Sequence, residues 1–501
     1  MTAFSTKQKP MNLEHYFKPF RDNIVGIDTY FESPYGKQKM IYADWIASGR
    51  LYAPIEDLMK NRFGPMVGNT HSESSETGET MTMLYKQART IIKKHVNAHD
   101  DDCLLSVGSG MTGAVNKLMR ILGLSIPDQA EKFIKKEIPE NEIPVVFITY
   151  MEHHSNHTDW LESIADVVIL EPEDEKEIDL PTQLQQGLDQ YKNRNLKIGS
   201  FSAGSNVTGI IPDFHELAEI MHKNGGVAFA DFAASAPYVS INMHPEKEGQ
   251  HLDAIFFSPH KALGGPGSCG VLIFNKKMYK NKRPDQPGGG TVLWTNRWNE
   301  YAYYENIEAR EDGGTPAFLQ TIRTALAMKL KEKMGVENIL KREHELLTIA
   351  FKEFEKIHQV NILAKSQKDR LGVISFYVLG IHHNLIVKLL NDRFGIQVRG
   401  GCSCAGTYGH YLLHVSKDES HRITHMIDEG DLTEKPGWVR LSLHPTMTDE
   451  ELYFIIKAIK TIIENIEEYR KDYVFQKCVG EFYHTKVKQK EPGDYCEWFV
   501  I

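Results

Sequence analysis

At 501 residues the chain is too long for one simple domain and should bury two or three cores. Hydrophobic residues at 41% and charged residues at 25% exclude a disordered or collagen-like class, and a formal charge of -9 argues against nucleic acid as a partner, since phosphate recognition wants a basic face. No apolar run approaches the ~20 residues a membrane-spanning helix needs, and Met1–Phe20 holds no continuous apolar stretch of the kind a secretory signal carries. A cytoplasmic, small-molecule enzyme is therefore the expectation, with no membrane partner. The six cysteines (103, 269, 402, 404, 478 and 496) are too sparse for a disulfide framework and are expected reduced.

Taken in chain order, residues 85–280 alternate helical patterns with short β-branched runs. These are Pro144–Thr149, Leu196–Phe201, Val227–Ala230, Ala254–Phe257 and Gly270–Phe274. Near-continuous apolar runs of this length predict strands of a buried, mainly parallel sheet with crossover helices. One crossover is clear: Asp213–Lys223 opens on an Asp cap, carries Leu217, Ile220 and Met221 at helical spacing, and stops before Asn224-Gly225-Gly226. From about 320 onward, helical patterns at 317–358 and 448–470 flank strand-like Val373–Val378 and Val439–Leu443, predicting a smaller α+β domain. The expected division is a segment 1–60 packing with the small domain, a large domain 61–320 and a small domain 321–501.

Ligands of an open α/β sheet bind outside the carboxyl ends of its strands. Here the successive runs end in Glu152-His153-His154-Ser155-Asn156, Ser205-Asn206-Val207-Thr208-Gly209, Asp231 and Ser258-Pro259-His260-Lys261. A polar loop after a strand is ordinary, but a lysine, a carboxylate and an imidazole at neighbouring strand ends are the groups that pyridoxal phosphate chemistry requires. The lysine forms the Schiff base, the carboxylate keeps the pyridine nitrogen protonated, and the imidazole stacks on the ring and moves protons. Ser106–Gly113 supplies a glycine turn ahead of a helical face of Val115, Leu118, Met119 and Leu122, where backbone N–H groups would cradle a phosphate.

Ser258-Pro259-His260-Lys261 followed by Gly264-Gly265-Pro266-Gly267 resembles the lysine motif of class V aminotransferase-fold enzymes. Glu152–Asn156, Asn206–Gly209, Asp231, Gly288–Gly290 and Glu311–Pro316 follow in the order found in cysteine desulfurases and selenocysteine lyases, so the likeness spans roughly residues 40–460. It implies the α/β fold of type I pyridoxal-phosphate-dependent transferases, with a mainly parallel seven-stranded sheet in the large domain and a smaller α+β domain. It further implies Lys261 as the Schiff-base lysine, Asp231 on the pyridine nitrogen, His153 on the ring and Asn206 near the phenolic oxygen. Gly110, Met111, Thr112, Ser258 and His260 would hold the phosphate, joined by Thr315 from the second subunit of a homodimer. Ala234 stands where such enzymes usually carry a glutamine, and Met111 replaces a threonine of the phosphate turn.

Val398-Arg399-Gly400-Gly401-Cys402-Ser403-Cys404-Ala405 resembles the loop bearing the persulfide cysteine of desulfurases, and Arg440 corresponds to their substrate-carboxylate arginine. The resemblance implies that Cys404 takes sulfur or selenium from L-cysteine or L-selenocysteine, giving alanine, and passes it to an acceptor protein. The Cys-x-Cys form, with Gly68-Asn69-Thr70-His71-Ser72, is also similar to the desulfurase domain of molybdenum cofactor sulfurases. Residues 405–439 read as a long insertion without evident structure beside the thiol. Two rivals stand beside this reading. The chain could be a class V aminotransferase, epimerase or kynureninase-like hydrolase in which Cys404 is incidental. Alternatively, Cys402, Cys404, His410 and His414 could bind zinc, although C-x-C-x5-H-x3-H is not a familiar zinc pattern. The preferred reading assigns no residue to a metal.

Overall fold

The computed structural model describes residues 12–70, 74–132, 138–171 and 179–501. They form two compact units. Unit 1 takes the described residues as far as Val25, then Trp45–His344 and Asp369–Leu371; unit 2 takes Gly26–Asp44, Glu345–Lys368 and Gly372–Ile501. This division differs from the expected one at 60/61 and 320/321. Of the N-terminal segment only 26–44 belongs to unit 2, where Ile41-Tyr42 pairs in parallel with Ile396-Gln397. Residue 320 lies inside the helix Phe318–Met334, which packs on the helix Glu76–His95 and so stays wholly in unit 1. The helical pattern at 317–358 is two helices, broken at Gly335, whose φ of +77° a side chain would resist.

Unit 1 is built on a seven-stranded sheet: β1 (Asp102–Val107), β2 (Val145–Thr149), β3 (Asp166–Leu170), β4 (Lys197–Ser202), β5 (Val227–Asp231), β6 (Ala254–Phe257) and β7 (Gly270–Asn275). The spatial order is β1-β7-β6-β5-β4-β2-β3, and only β7 runs against its neighbours β1 and β6. Every residue of β2, β4 and β6 is buried. That is why these strands read as unbroken apolar runs: both faces are covered by helices. The edge strands β1 and β3 are the two that the run-by-run reading left out.

Two helices carry the sheet's functional ends. Helix α1 (Met111–Ile121) follows β1 and buries Val115, Leu118 and Met119 against Leu105, Phe256 and Leu272 in one core cluster. Helix α2 (Phe214–Lys223) begins where expected, with the Asp213 carboxylate accepting the Glu216 N–H at 3.0 Å, and buries Leu217 and Met221. Such a cap is worth ~1 kcal/mol, and the remaining stability of the helix comes from its buried face.

Unit 2 contains an antiparallel sheet of β8 (Val360–Ile362), β9 (Val373–Val378), β10 (Arg399–Gly401) and β11 (Trp438–Ser442) in the order β8-β9-β11-β10. The helix Asp449–Glu464 starts on a capping box formed by Thr448 and Glu451. Residues 405–439 are not the structureless loop expected. They form α3 (Gly406–Leu412) and α4 (Lys417–Asp428), the latter capped by Ser416, whose hydroxyl accepts the Glu419 N–H at 3.2 Å. Among the described residues no helix is long and apolar enough to cross a membrane.

Candidate active site

The candidate residues of unit 1 sit at the carboxyl ends of β1, β2, β4, β5 and β6. The β1–α1 turn runs through Gly108 at φ +47° to Gly110, the α1 N-cap, which offers no side chain to the helix's first N–H groups. Apart from the Met111 N–H, those donors face the turn, where an anion can meet them. Ser258 Oγ accepts the Met111 N–H at 2.9 Å, and His260 Nδ1 lies 2.8 Å from the Ser109 carbonyl. A Cβ on Gly110 would sit 3.0 Å from Ser258 Oγ and 3.1 Å from His260 Cε1, so the turn, Ser258 and His260 form one tight cradle. Thr112 Oγ1 lies 2.7 Å from Ser155 Oγ, which ties the cradle to the loop carrying His153.

His153 Nδ1 accepts the Ser155 N–H at 3.1 Å, which leaves the ring proton on Nε2. Asn206 is buried in a turn fastened by Ser205 Oγ, which accepts the Val207 and Thr208 N–H groups. The turn closes at Gly209, where φ is +75° and a Cβ would come within 2.7 Å of the Leu371 carbonyl. Lys261 ends the short helical turn Pro259–Lys261. Close backbone approaches brace that turn: Gly49 N–H donates to the His260 carbonyl, and a Cβ on Gly265 would meet the Pro259 carbonyl at 1.9 Å.

Asp231 ends β5 and is buried, its Oδ1 accepting the Ala233 N–H at 2.8 Å. Desolvation pushes its carboxyl up to about 6, while the Ala233 N–H and the Lys261 charge pull the other way. A carboxylate in that state gains from a cation beside it, and a protonated ring nitrogen is one. Ala234, also buried, brings no side-chain polar atom to this end of β5. The sequence reading did not single out Glu152. It is fully buried and pushed up to about 7 by desolvation, although Thr149 Oγ1, Asn156 Nδ2 and the Ser202 N–H all donate to it, at 2.6, 2.7 and 2.8 Å. Asp231 adds to the rise, so the two buried acids are coupled.

Thr315 is exposed in the single chain, in a segment whose start is anchored by Glu311 (2.6 Å from Lys117) and by Asp312, which accepts from Tyr85 at 2.9 Å. Next to it in sequence, the hairpin Val292–Thr295/Tyr301–Tyr303 exposes Leu293, Trp294, Trp298 and Tyr301.

In unit 2, Cys404 is exposed and Cys402 half-buried. Ser403 and Cys404 both adopt positive φ, +53° and +58°, in a turn closed by the Ala405 N–H donating to the Cys402 carbonyl at 3.0 Å. Side chains seldom tolerate this conformation, and it holds the Cys404 thiol out from the chain. Arg440 is almost fully buried on β11 beside Arg399 of β10. Asp44, a second residue missed in the sequence, bridges the two: its Oδ1 is 2.7 Å from Arg440 Nη2 and its Oδ2 is 3.5 Å from Arg399 Nε. The zinc set is not drawn together. His410 is engaged with the Gly406 carbonyl and Ser420 Oγ, and among the described residues the one cluster able to hold a metal lies elsewhere, at His222, His251 and Asp253. His71 and Ser72 of the Gly68–Ser72 motif lie outside the described residues.

Residues 41–454 match the family of aminotransferases of class V. The chain belongs to that family. Its members depend on pyridoxal phosphate. The class V chain is 25% identical over 374 residues to a probable cysteine desulfurase of Halalkalibacterium halodurans, which covers 73% of this chain and 84% of the relative. Similar solved structures include a cysteine desulfurase of Thermococcus onnurineus (TM-score 0.69, 22% identity, 85% of this chain and 95% of that one). Another is the cysteine desulfurase CsdA of Escherichia coli (TM-score 0.67, 19% identity, 91% and 99%). At these identities the solved structures establish the fold of this class V chain, the type I fold that its lysine and glycine motifs imply.

Proposed function

We propose that the protein is a pyridoxal-phosphate-dependent cysteine desulfurase, taking sulfur from L-cysteine, or selenium from L-selenocysteine, onto Cys404. The observation that carries this reading is the thiol itself: an exposed cysteine presented on a strained turn, in the chain segment that also buries Arg440. An incidental cysteine would have no need of that conformation. The cradle of Gly110, Met111, Thr112, Ser258 and His260 fits a phosphate, and buried Asp231 fits a cationic ring nitrogen.

When bound, the cofactor supplies an electron sink that loosens the bond between the substrate's β-carbon and its sulfur. Lys261 would hold the cofactor and return protons, and Asp231 would keep its ring nitrogen charged. His153, with its proton fixed on Nε2, would hold the ring and move protons. Arg440 receives the substrate carboxylate with a guanidinium already oriented by Asp44. The Cys404 thiolate attacks the substrate sulfur; the carbon–sulfur bond breaks, a sulfur–sulfur bond forms, and the products are alanine and a Cys404 persulfide. Thr315 and the exposed aromatic hairpin at 292–303 support a homodimer in which Thr315 completes the partner's phosphate site. The exposed position of Cys404 suits delivery to an acceptor protein, in a cytoplasmic setting.

The test is to incubate the cofactor-loaded protein with L-cysteine and a reductant, then measure alanine and sulfide. Both should form in equal amounts, and Cys404→Ala should abolish both while leaving the cofactor absorbance intact. Undiminished alanine and sulfide from Cys404→Ala would instead make the chain a class V enzyme of other chemistry.

A further inference from the structure

The amino ends of the same strands hold a second constellation that the cofactor chemistry does not use. His222 lies in the last turn of α2, Asp253 immediately precedes β6, and His251 is two residues earlier. Their ligating atoms all lie within 4.8 Å of one another. Asp253 and Ser258 bracket β6, so at ~3.3 Å per residue the cluster is ~17 Å from the cofactor cradle.

Hydrogen bonding prepares each group for a cation. His222 Nδ1 lies 2.6 Å from the Gly249 carbonyl, which makes Nδ1 the donor and leaves Nε2 facing Asp253 Oδ2 at 2.8 Å. At that distance the pair shares a proton, which holds Nε2 and the carboxylate oxygen aimed at each other, the two atoms that an ion would take in place of that proton. Asp253 Oδ2 is itself fixed by the Ala228 N–H at 2.9 Å. The ring of His251 stacks on that of His222, with centroids 3.9 Å apart and planes 7° from parallel, and its Nε2 is 3.9 Å from Asp253 Oδ1. An imidazole whose far nitrogen donates to a backbone carbonyl, beside a carboxylate held by a backbone N–H, is the outer-shell pattern of metal-ligating side chains.

We propose that His222, His251 and Asp253 form a binding site for a divalent transition-metal ion of the zinc class. Two imidazoles and one carboxylate select zinc, cobalt, nickel or copper over magnesium and calcium, which prefer all-oxygen shells. Zinc bonds of about 2.0–2.2 Å place ligating atoms ~3.3–3.5 Å apart, so His222 Nε2 and Asp253 Oδ2 would part slightly from 2.8 Å while His251 would turn out of its stack on His222 and swing in from 3.9 Å. His251, with 44% of its side chain exposed, is free to make that movement. Water fills the remaining position. The ion ties the end of α2 to the segment leading into β6, and its role is to brace the sheet at the strand ends opposite Lys261. The site is independent of the proposed desulfurase reaction.

The experiment uses the purified, cofactor-loaded chain after chelator treatment. Zinc titrated against a chromophoric competitor should bind at one equivalent per chain with His251 as a ligand. His251→Ala should weaken that equivalent by about 100-fold or more, because loss of even an outer-shell group costs about 10–100-fold. His251→Gln, which keeps bulk and polarity, should do the same, while His244→Ala should bind as wild type. Cobalt should give visible d–d bands without the sulfur-to-metal band that Cys402 or Cys404 would produce. Magnesium should leave the melting temperature unchanged where zinc raises it. Absence of zinc binding, equal binding by both His251 variants and wild type, or a sulfur-to-metal band that persists in them would overturn the proposal.

Discussion

Around Lys261 the backbone has almost no freedom: Gly49 and Gly265 stand where a single methyl group would collide with backbone, Gly110 where one would press on Ser258 and His260, and the adjoining strands are buried on both faces. Around Cys404 the chain is exposed, two consecutive side-chain-bearing residues hold positive φ, and the next element is a seven-residue helix. On the proposed function, one region positions a group that must not move relative to a cofactor, and the other presents a group that must reach a substrate and then an acceptor. Rigidity is supplied by close packing in the first and by a locally strained turn in the second, and the two can be broken separately.

The largest break is expected at the rigid end. Lys261→Ala should abolish the absorbance of lysine-bound cofactor and lower alanine formation by about 10⁴-fold or more, since groups that act as a unit fail together. A variant that keeps the spectrum would show that another amine carries the cofactor. A smaller and more selective loss is expected from Arg440→Lys. One hydrogen bond to a charged group is worth ~1.5–3 kcal/mol, so KM for cysteine should rise about 10- to 100-fold with little change in kcat. Asp44→Asn should move KM in the same direction by less, because it disturbs only the orientation of Arg440 and Arg399. An unchanged KM in both would remove Arg440 from the substrate site.

Much of the rigid region was legible in the sequence because burial on both faces writes itself as continuous apolar runs, and the residues after each run are the strand ends. Five of the seven strands and the α2 cap follow from that rule. The edge strands β1 and β3 were not singled out, and the expected boundary at 320/321 differs from the division at His344/Glu345, which falls inside the helix Val336–Phe354, where no break in the helical pattern marks it. Residues 405–439 were read as loop; α4 is polar, with Ile423 its one buried residue, so it carries little periodic signal. Asp44 was invisible for a different reason. It lies 396 positions from Arg440, and a lone carboxylate after a two-residue strand has no local signature. The same distance effect hid the His222, His251 and Asp253 cluster, whose members come from a helix end and a separate segment. Glu152 was in view as part of a motif, but only its complete burial shows that it is an acid coupled to Asp231.

That coupling gives the smallest predicted effect and a test of the rigid region that needs no turnover. Burial raises both carboxyls, Asp231 to about 6 and Glu152 to about 7, above the ~4 of an unfolded chain. A carboxyl raised on folding contributes stability that is complete below its unfolded pKa and is lost as pH rises through its folded pKa. The cofactor-free protein should therefore lose stability between about pH 4 and about pH 7. A protonated ring nitrogen beside Asp231 favours the charged carboxylate and removes part of that loss, so the melting-temperature gap between loaded and cofactor-free protein should widen by a few degrees across the window. Glu152→Gln removes the acid raised to about 7, so the cofactor-free protein should lose less stability as pH rises towards 7, while the gap set by Asp231 should persist. A gap that stays constant with pH would mean that Asp231 does not meet the ring nitrogen, and the case for the cofactor's orientation would pass to His153 and the phosphate cradle alone.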